Sequence, residues 1–528
     1  MSNFDRHQLT RGALGALSGL LAAGAALAAA ESAAGAVRPQ AGPVVAVGGA
    51  AIDRTPAAVK DWAIRSFGTN DKLVLQLGIL VVLGMLAVAL GLLALRHRRT
   101  GAAGVLVFGA VGAAAALSRP DSAGVLDALP SLVGALAGAA LLWILAGRLT
   151  PAGAPSAESE SESDSAWDRR GFLAAAASAA AASAAAGALG RALTSSAGKE
   201  AVASRAAVRL PLPGSPARPV PRGAALRVAE ISPFVTSNAD FYRVDTALVV
   251  PKIDATRWRL RVHGRGVTRP LDLGFQDLLR RELIERDITL TCVSNEVGGP
   301  YAGNARWLGV RLADVLREAG VRPPSRGGPA DQLVSRSVDG MTLGTPVEEV
   351  MDGRDALLAV GMNGEPLPLE HGFPVRMVVP GLYGYVSACK WIEDLELTTF
   401  DAYDPYWVRR KWARQAPIKT QSRIDTPKPF ARPKAGTVMI AGVAWAQHRG
   451  IERVEVRVDD GPWRDADLAV QAGTDTWRQW SLPWEATPGP HTLTVRATDG
   501  TGAVQTARRT RTIPDGASGR HSVVITVD

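Results

Sequence analysis

The chain has 528 residues, 47% of them hydrophobic and 21% charged, with a formal net charge of +9 at pH 7. That length suits roughly three domains of ~150 residues each. The positive charge is spread without a dense Lys/Arg block, which argues against nucleic acid as a partner; two cysteines and no Cys-x-x-Cys exclude a disulfide framework, a Cys-x-x-Cys zinc site and c-type haem attachment.

Apolar stretches dominate the chain up to residue 192: Leu14 to Ala30, Val74 to Leu95, Gly101 to Ser118, Leu129 to Gly147 and Gly171 to Leu189. The second runs 22 residues without a charge, long enough to cross a hydrocarbon core of ~30 Å at ~1.5 Å per residue. The last is almost all Ala, Ser and Gly and is the least hydrophobic. Arg96, Arg98 and Arg99 assign the second connection to the cytoplasm, and Arg148, Arg169 and Arg170 do the same before the fifth stretch. With the N-terminus inside, the pattern predicts a multi-pass anchor in the cell membrane: four helices over 1–150, a fifth within 151–192, and everything beyond on the extracytoplasmic side. The stretches hold no His, Lys or Arg, so no membrane-embedded haem is expected. Asp127, near one end, is the single ionisable candidate for an ion path.

An acidic low-complexity linker, Glu158-Ser-Glu-Ser-Glu-Ser-Asp-Ser165, leads into Asp168-Arg-Arg-Gly-Phe-Leu173 and the weak fifth helix. Paired arginines, Phe-Leu and a weakly hydrophobic helix resemble a twin-arginine export signal placed inside the chain; two positive-inside anchors are the alternative. That route carries folded domains, often with a cofactor already inserted.

Residues 193–225, rich in Pro, Arg, Ser and Gly, read as a linker. Strand-like runs follow at Trp258 to Val262, Ile288 to Cys292, Val375 to Val379 and Trp391 to Thr398. They alternate with helical patterns at Phe275 to Glu285 and Leu312 to Ala319, which predicts an α+β domain over 226–412.

Cys292 closes one of those strands ahead of a Gly-rich turn. A lone thiol there is either a small buried hydrophobe or a soft metal ligand. Its neighbours favour the second. Leu290-Thr-Cys-Val-Ser-Asn295, Gly298-Gly299 and Ala305-Arg-Trp-Leu-Gly-Val310 resemble the metal-ligand segment of the sulfite oxidase family of molybdopterin enzymes. His371-Gly-Phe-Pro-Val-Arg-Met-Val-Val-Pro-Gly381, with Gly384-Tyr-Val-Ser-Ala-Cys-Lys-Trp391, is similar to that family's cofactor-phosphate segment. Asn238-Ala-Asp-Phe-Tyr-Arg243 occupies its first cofactor-contact segment.

The resemblance implies a molybdenum–molybdopterin cofactor, with Cys292 as the metal ligand and Asn238, Phe241 and Tyr242 on the pterin side. Asp339, in Ser337-Val-Asp-Gly340, is either a further pterin contact or a turn residue. His371, Arg376 and Lys390 match the phosphate-binding positions, helped by backbone from Tyr385 to Ser387. A thiolate suits a metal already held by a dithiolene, and a phosphate needs fixed cations and N–H donors. Arg243 aligns with the family's oxyanion-binding arginine, so Cys292 and Arg243 are the catalytic pair the resemblance implies. The chain departs from the family at Val360, where the animal and plant enzymes have a catalytic Tyr, and this counts against sulfite as substrate. Cys389 reads as core filler.

From 413 to 528 the pattern changes to short strands: Thr437 to Trp445, Ile451 to Val458, Thr476 to Trp480 and His491 to Ala497, with Asp459-Asp-Gly461 and Asp499-Gly500 as turns. This spacing predicts an immunoglobulin-like β-sandwich. Gly442 to Trp445, Val454 to Gly461 and Arg496 to Asp499 resemble the family's dimerisation domain, which implies a possible homodimer. The expected chain is therefore multi-domain: an N-terminal α-helical membrane anchor, an α+β sulfite-oxidase-type molybdopterin domain and a C-terminal sandwich. Its expected work is oxygen-atom transfer on a small substrate, a sulfite-like anion or an S- or N-oxide, with electrons exchanged with a separate electron-transfer partner. The alternative is a non-catalytic, membrane-tethered binding or scaffold protein on a degenerate oxidoreductase fold.

Overall fold

A computed structural model of the chain describes residues 3–55, 59, 67, 71–119, 122, 124–150 and 169–528. The acidic run Glu158 to Ser165 and Asp168 of the arginine motif lie outside the described residues. The chain divides into two compact units, one of Met1–Glu200 with Thr246–Val250, the other of Ala201–Asp245 with Pro251–Asp528.

The first unit is helical: α1 (Asn3–Val37), α2 (Pro43–Arg54), α3 (Asp71–Ala94), α4 (Arg98–Leu117), α5 (Leu129–Leu149) and α6 (Arg169–Ala207), which runs on into the second unit. Five helical segments among the described residues are long and apolar enough to cross a membrane: Thr10–Val37, Leu73–Ala94, Arg98–Leu117, Val125–Leu149 and Arg170–Ala192. They fall on the five apolar stretches. Small residues let helices touch backbone to backbone; a Cβ on Gly19 of α1 would lie 1.9 Å from Ala87 O of α3. Asp127 is paired with Arg38 at 2.6 Å, its side chain 2% exposed, which gives that carboxylate a structural role.

Among the described residues, the strands all lie in the second unit. They are β1 (Arg259–Gly264), β2 (Leu271–Gly274), β3 (Leu283–Thr291), β4 (Ala302–Arg311), β5 (Gln332–Ser337), β6 (Thr342–Pro346), β7 (Leu357–Met362), β8 (Glu365–Pro366), β9 (Arg376–Val378) and β10 (Ile392–Thr398). One sheet has the order β2-β1-β10-β5-β6, antiparallel except for the parallel β1–β10 pair. Another runs β3-β4-β7-β8, with β9 also pairing β7. Short helices α7 (Phe275–Leu279), α8 (Leu312–Glu318), α9 (Val347–Met351) and α10 (Gly384–Ser387) connect them. A single apolar core that includes Leu260, Trp307, Val360 and Phe373 spans both sheets.

Further strands follow: β11 (Gln421–Thr426), β12 (Gly436–Trp445), β13 (Ile451–Val458), β14 (Arg464–Asp465), β15 (Asp467–Leu468), β16 (Arg478–Ala486), β17 (Gly489–Asp499) and β18 (His521–Val527). They form two four-stranded antiparallel sheets, β11-β12-β16-β15 and β14-β13-β17-β18. Inward residues of both, among them Ile440, Val456, Trp480, Val495 and Ile525, fill a second core.

Two expectations need correction. The helical pattern from Phe275 does not reach Glu285: the helix stops at Leu279, and Leu283 already belongs to β3. Ile284, Ile288, Thr289 and Thr291 are β-branched, stiff at χ1 and better placed on a pleated surface than on a helix. The expected linker over 193–225 is largely structured. Helix continues to Ala207, and the next residues lie against the core: Val208, Leu210 and Val220 pack on it, Gly214 N–H donates to Leu283 O at 2.8 Å, and Ser215 O accepts Glu285 N–H at 2.9 Å. Prolines keep this segment extended without preventing it from covering the edge of β3.

Candidate active site

Cys292 is the first residue beyond β3. Its N–H donates to Tyr301 O at 2.9 Å, its carbonyl accepts Asn295 N–H at 3.0 Å, and Asn295 Oδ1 accepts Tyr301 N–H at 2.8 Å. These bonds close the loop from 292 to 301 on itself. The residue is 8% exposed, and its Sγ accepts Ser294 N–H at 3.4 Å. Burial pushes the thiol up, and hydrogen bonds from Ser294 oppose that rise. The proton therefore stays on sulfur until something stronger than Ser294 favours the thiolate.

The residues of the first cofactor segment stand beside it. Phe241 stacks on Tyr242 with centroids 5.1 Å apart, and meets Trp307 at 5.8 Å and His371 at 5.7 Å edge-on. Burial raises the Tyr242 hydroxyl far above its ordinary value; charge on Cys292 adds to the rise and Arg376 opposes it. Tyr242 is thus a neutral hydroxyl that feels both the thiol and the arginine. Asn238 is held at its side chain, Nδ2 donating to Met362 O at 3.3 Å and Oδ1 accepting from Asn363 Nδ2 at 2.9 Å. Its carbonyl bonds His371 Nε2 at 2.9 Å. Burial pushes His371 down to about 4, so at neutral pH the ring is uncharged and Nε2 carries the proton it donates.

Arg376 is 5% exposed. Its Nη1 donates to His371 O at 3.1 Å, its guanidinium lies 4.9 Å from the centre of the Trp307 ring, and its Nε has no partner. Burial lowers it to about 10, which leaves it charged at neutral pH. It forms no ion pair among the described residues. A buried cation with an orphaned N–H is costly unless an anion meets it. A phosphate would do so, and the phosphate end of a molybdopterin fits this residue.

Lys390 is placed differently. Its Nζ pairs with Asp245 Oδ2 at 2.7 Å and donates to Glu370 O at 3.1 Å, and it lies 4.5 Å from the Trp391 ring centre. Its charge already has a counter-charge. The side chains of Tyr385 and Ser387 are engaged internally, Tyr385 with Ala413 O at 2.7 Å and Ser387 with Leu382 O at 2.9 Å, so only their backbone is left for an anion. Asp339 accepts Met341 N–H at 3.3 Å within the β5–β6 turn. Cys389 is buried in the core and pushed up to about 12 by burial. Val360 is fully buried in β7. Arg243 is exposed.

The structure therefore joins Tyr242, Phe241, Asn238, His371 and Arg376 through ring contacts and hydrogen bonds, puts Cys292 within electrostatic reach of Tyr242, sets Lys390 in an ion pair of its own, and leaves Arg243 outside. Sequence reasoning missed Asp245, Asn363 and the role of Trp307. Asn363-Gly364 carried a turn signal, and Asn363 adopts φ 52°; nothing in the sequence marked Asp245. The thiol can serve as a soft metal ligand, and the Arg376 end can hold an anion.

A family model described as the oxidoreductase molybdopterin binding domain matches residues 247–407. Mitochondrial sulfite oxidase of Mus musculus is 32% identical over 290 residues, 47% of this chain and 53% of that protein. The uncharacterized oxidoreductase YuiH of Bacillus subtilis is 34% identical over 156 residues, 30% of this chain and 72% of that protein. Among solved structures, the sulfane dehydrogenase SoxCD from Paracoccus pantotrophus is 26% identical, covering 56% of this chain and 83% of that chain at a TM-score of 0.48. The chain spans about half the length of the sulfite oxidases it matches.

Proposed function

Because the chain belongs to the sulfite oxidase family of molybdopterin-dependent oxidoreductases, we propose that it is a membrane-anchored enzyme working on the extracytoplasmic side. Its reaction is oxygen-atom transfer to or from a small substrate, and its electrons are exchanged with a separate redox partner. The observation that carries this reading is the cluster around Tyr242: a buried thiol and a buried arginine, the latter with no carboxylate partner among the described residues, both within electrostatic reach of its hydroxyl, and Phe241 stacked on its ring.

In this reading Cys292 ligates molybdenum as a thiolate, Asn238, Phe241 and Tyr242 hold the pterin, and Arg376 takes the terminal phosphate. His371 stays neutral, offers no competing charge, and fixes Arg376 through its carbonyl. Lys390 strengthens the phosphate end to the extent that Asp245 releases it. When bound, the cofactor supplies two-electron chemistry coupled to oxygen-atom transfer. Ser294 N–H stabilises the sulfur as it loses its proton, and the closed loop fixes Sγ in place. Asp339 is either a pterin contact or only a turn residue. Arg243, exposed and next in sequence to Tyr242, is the group available to an anionic or oxygen-bearing substrate. Val360 offers no hydroxyl where the animal and plant enzymes carry one, which favours reduction of an S- or N-oxide over oxidation of a sulfite-like anion. The five apolar helices support the membrane anchor, and the two four-stranded sheets at the C-terminus support an immunoglobulin-like sandwich suited to a homodimer.

The test is metal analysis of the full-length chain purified from molybdenum-replete cells. About one Mo per chain is expected, lost in Cys292→Ser, followed by turnover of an S- or N-oxide with an artificial redox dye. Folded, metal-free wild-type protein would overturn the reading.

A further inference from the structure

Cys292 is flanked on both sides by bonds that come from the C-terminal β-domain. Before it, Thr289 is held at every polar backbone atom: its N–H donates to Asp475 O at 2.9 Å, and its carbonyl accepts Gln447 Nε2 at 2.9 Å. Its Oγ1 accepts Trp477 N–H at 2.7 Å. Gln447, fully buried just past β12, spends its second N–H on Thr291 Oγ1 at 3.0 Å. After Cys292, Arg423 of β11 donates to Gly299 O at 2.8 Å and is itself fixed by Asp425 at 2.7 Å and Ser232 Oγ at 2.8 Å. Gly298, at φ 81°, lies so close to the His521 ring that a Cβ there would come within 2.2 Å of it. His521 in turn accepts Ile424 N–H at Nδ1, 3.0 Å.

We infer that the C-terminal β-domain clamps the thiol-bearing loop, with Gln447 and Arg423 as positioning residues for Cys292. This deepens the proposed function, since it rests on Cys292 being the metal ligand. The physical case is that β3 is an edge strand, whose last residues would otherwise fray and carry Sγ with them. Gln447 and Asp475 replace the missing neighbour strand there. Arg423 and His521 hold the far side of the loop against the same domain. The sulfur sits at the hinge between two anchored points, so neither side can move without breaking a buried or part-buried bond. The C-terminal β-domain thereby sets the position of the side-chain atom that must meet the metal.

The test uses the full-length, cofactor-free chain from cells that make no molybdopterin, so it does not depend on whether the enzyme turns over. Iodoacetamide labelling of Cys292 and of Cys389 is followed by peptide mass spectrometry in wild type, Gln447→Met and Arg423→Lys. Cys389 is likewise a free, buried cysteine but lies outside the clamp. Each variant should speed labelling of Cys292 about tenfold, the effect of losing one or two buried hydrogen bonds to local opening, with Cys389 unchanged. Labelling of Cys292 at the wild-type rate in both variants, or a parallel rise at both cysteines, would overturn the clamp. Absence of Mo in the loaded wild type would instead strike the functional reading alone.

Discussion

Lys390 Nζ lies 2.7 Å from Asp245 Oδ2, with the side chains only 9% and 6% exposed. Breaking one half of such a buried pair strands the other charge, at a cost of about 3–5 kcal/mol. Asp245→Asn should therefore lower the unfolding midpoint of the cofactor-free chain by several degrees. The double variant Asp245→Asn/Lys390→Met, which leaves no orphan charge, should recover most of that loss. Thermal unfolding of the two variants side by side checks both statements. If the single variant is as stable as wild type, the pair is not the constraint the geometry describes.

Arg376 makes the opposite case. Its charge is buried without a carboxylate partner among the described residues, so replacing it by Met should leave the cofactor-free chain at least as stable, to within about 1 kcal/mol. The same change should reduce retained molybdopterin at least about tenfold, because the phosphate loses a charge-assisted hydrogen bond. Unfolding midpoints and pterin content per chain decide it. A destabilised variant that still holds its pterin would reverse the assignment.

Acid should weaken the second unit. Burial pushes His371 and His521 from an ordinary 6.5 down to about 4. Below the unfolded value the unfolded chain takes up protons that the folded chain refuses. The stability they protect is thus complete above about pH 6.5 and shrinks as pH falls toward 4. Unfolding of the cofactor-free chain at about pH 7.5 and pH 5 should show the drop, and His371→Asn/His521→Asn should flatten it. An equal drop in that variant would assign the effect to other groups.

Export depends on the paired arginines if the internal signal is real. Changing both Arg169 and Arg170 to Lys keeps the positive-inside charge yet should block delivery of the second unit across the membrane. Protease accessibility of residues beyond 207 in intact cells reads this directly. Normal delivery would leave the pair as simple anchors.

Much of this was legible in the sequence because it rests on local signals. Uncharged runs of span length and period-two strands announce themselves, and the words around Cys292, Asn238 and His371 are each continuous in the chain. The Lys390–Asp245 pair was not legible, since it joins residues 145 apart through an Asp no motif singles out. Arg376 on Trp307 was equally hidden, because cation–π contact follows from how β9 and β4 both border β7. Composition misled over 208–225: a Pro- and Arg-rich stretch looks solvated, but its few apolar residues, Val208, Leu210 and Val220, are enough to dock it.

The border strand β3 has a further consequence for how the molecule can be handled. Its outer backbone groups are occupied by 214–215 at one end and by Asp475 and Gln447 at the other. Trimmed to 226–412, the borders the sequence suggests, the oxidoreductase domain would expose that strand along its whole length, a template for strand addition between molecules and so for aggregation. A piece that keeps the strand sheltered needs both residues 214–215 and the sandwich that supplies Gln447 and Asp475, so the segment before the domain and the sandwich after it together cap its border.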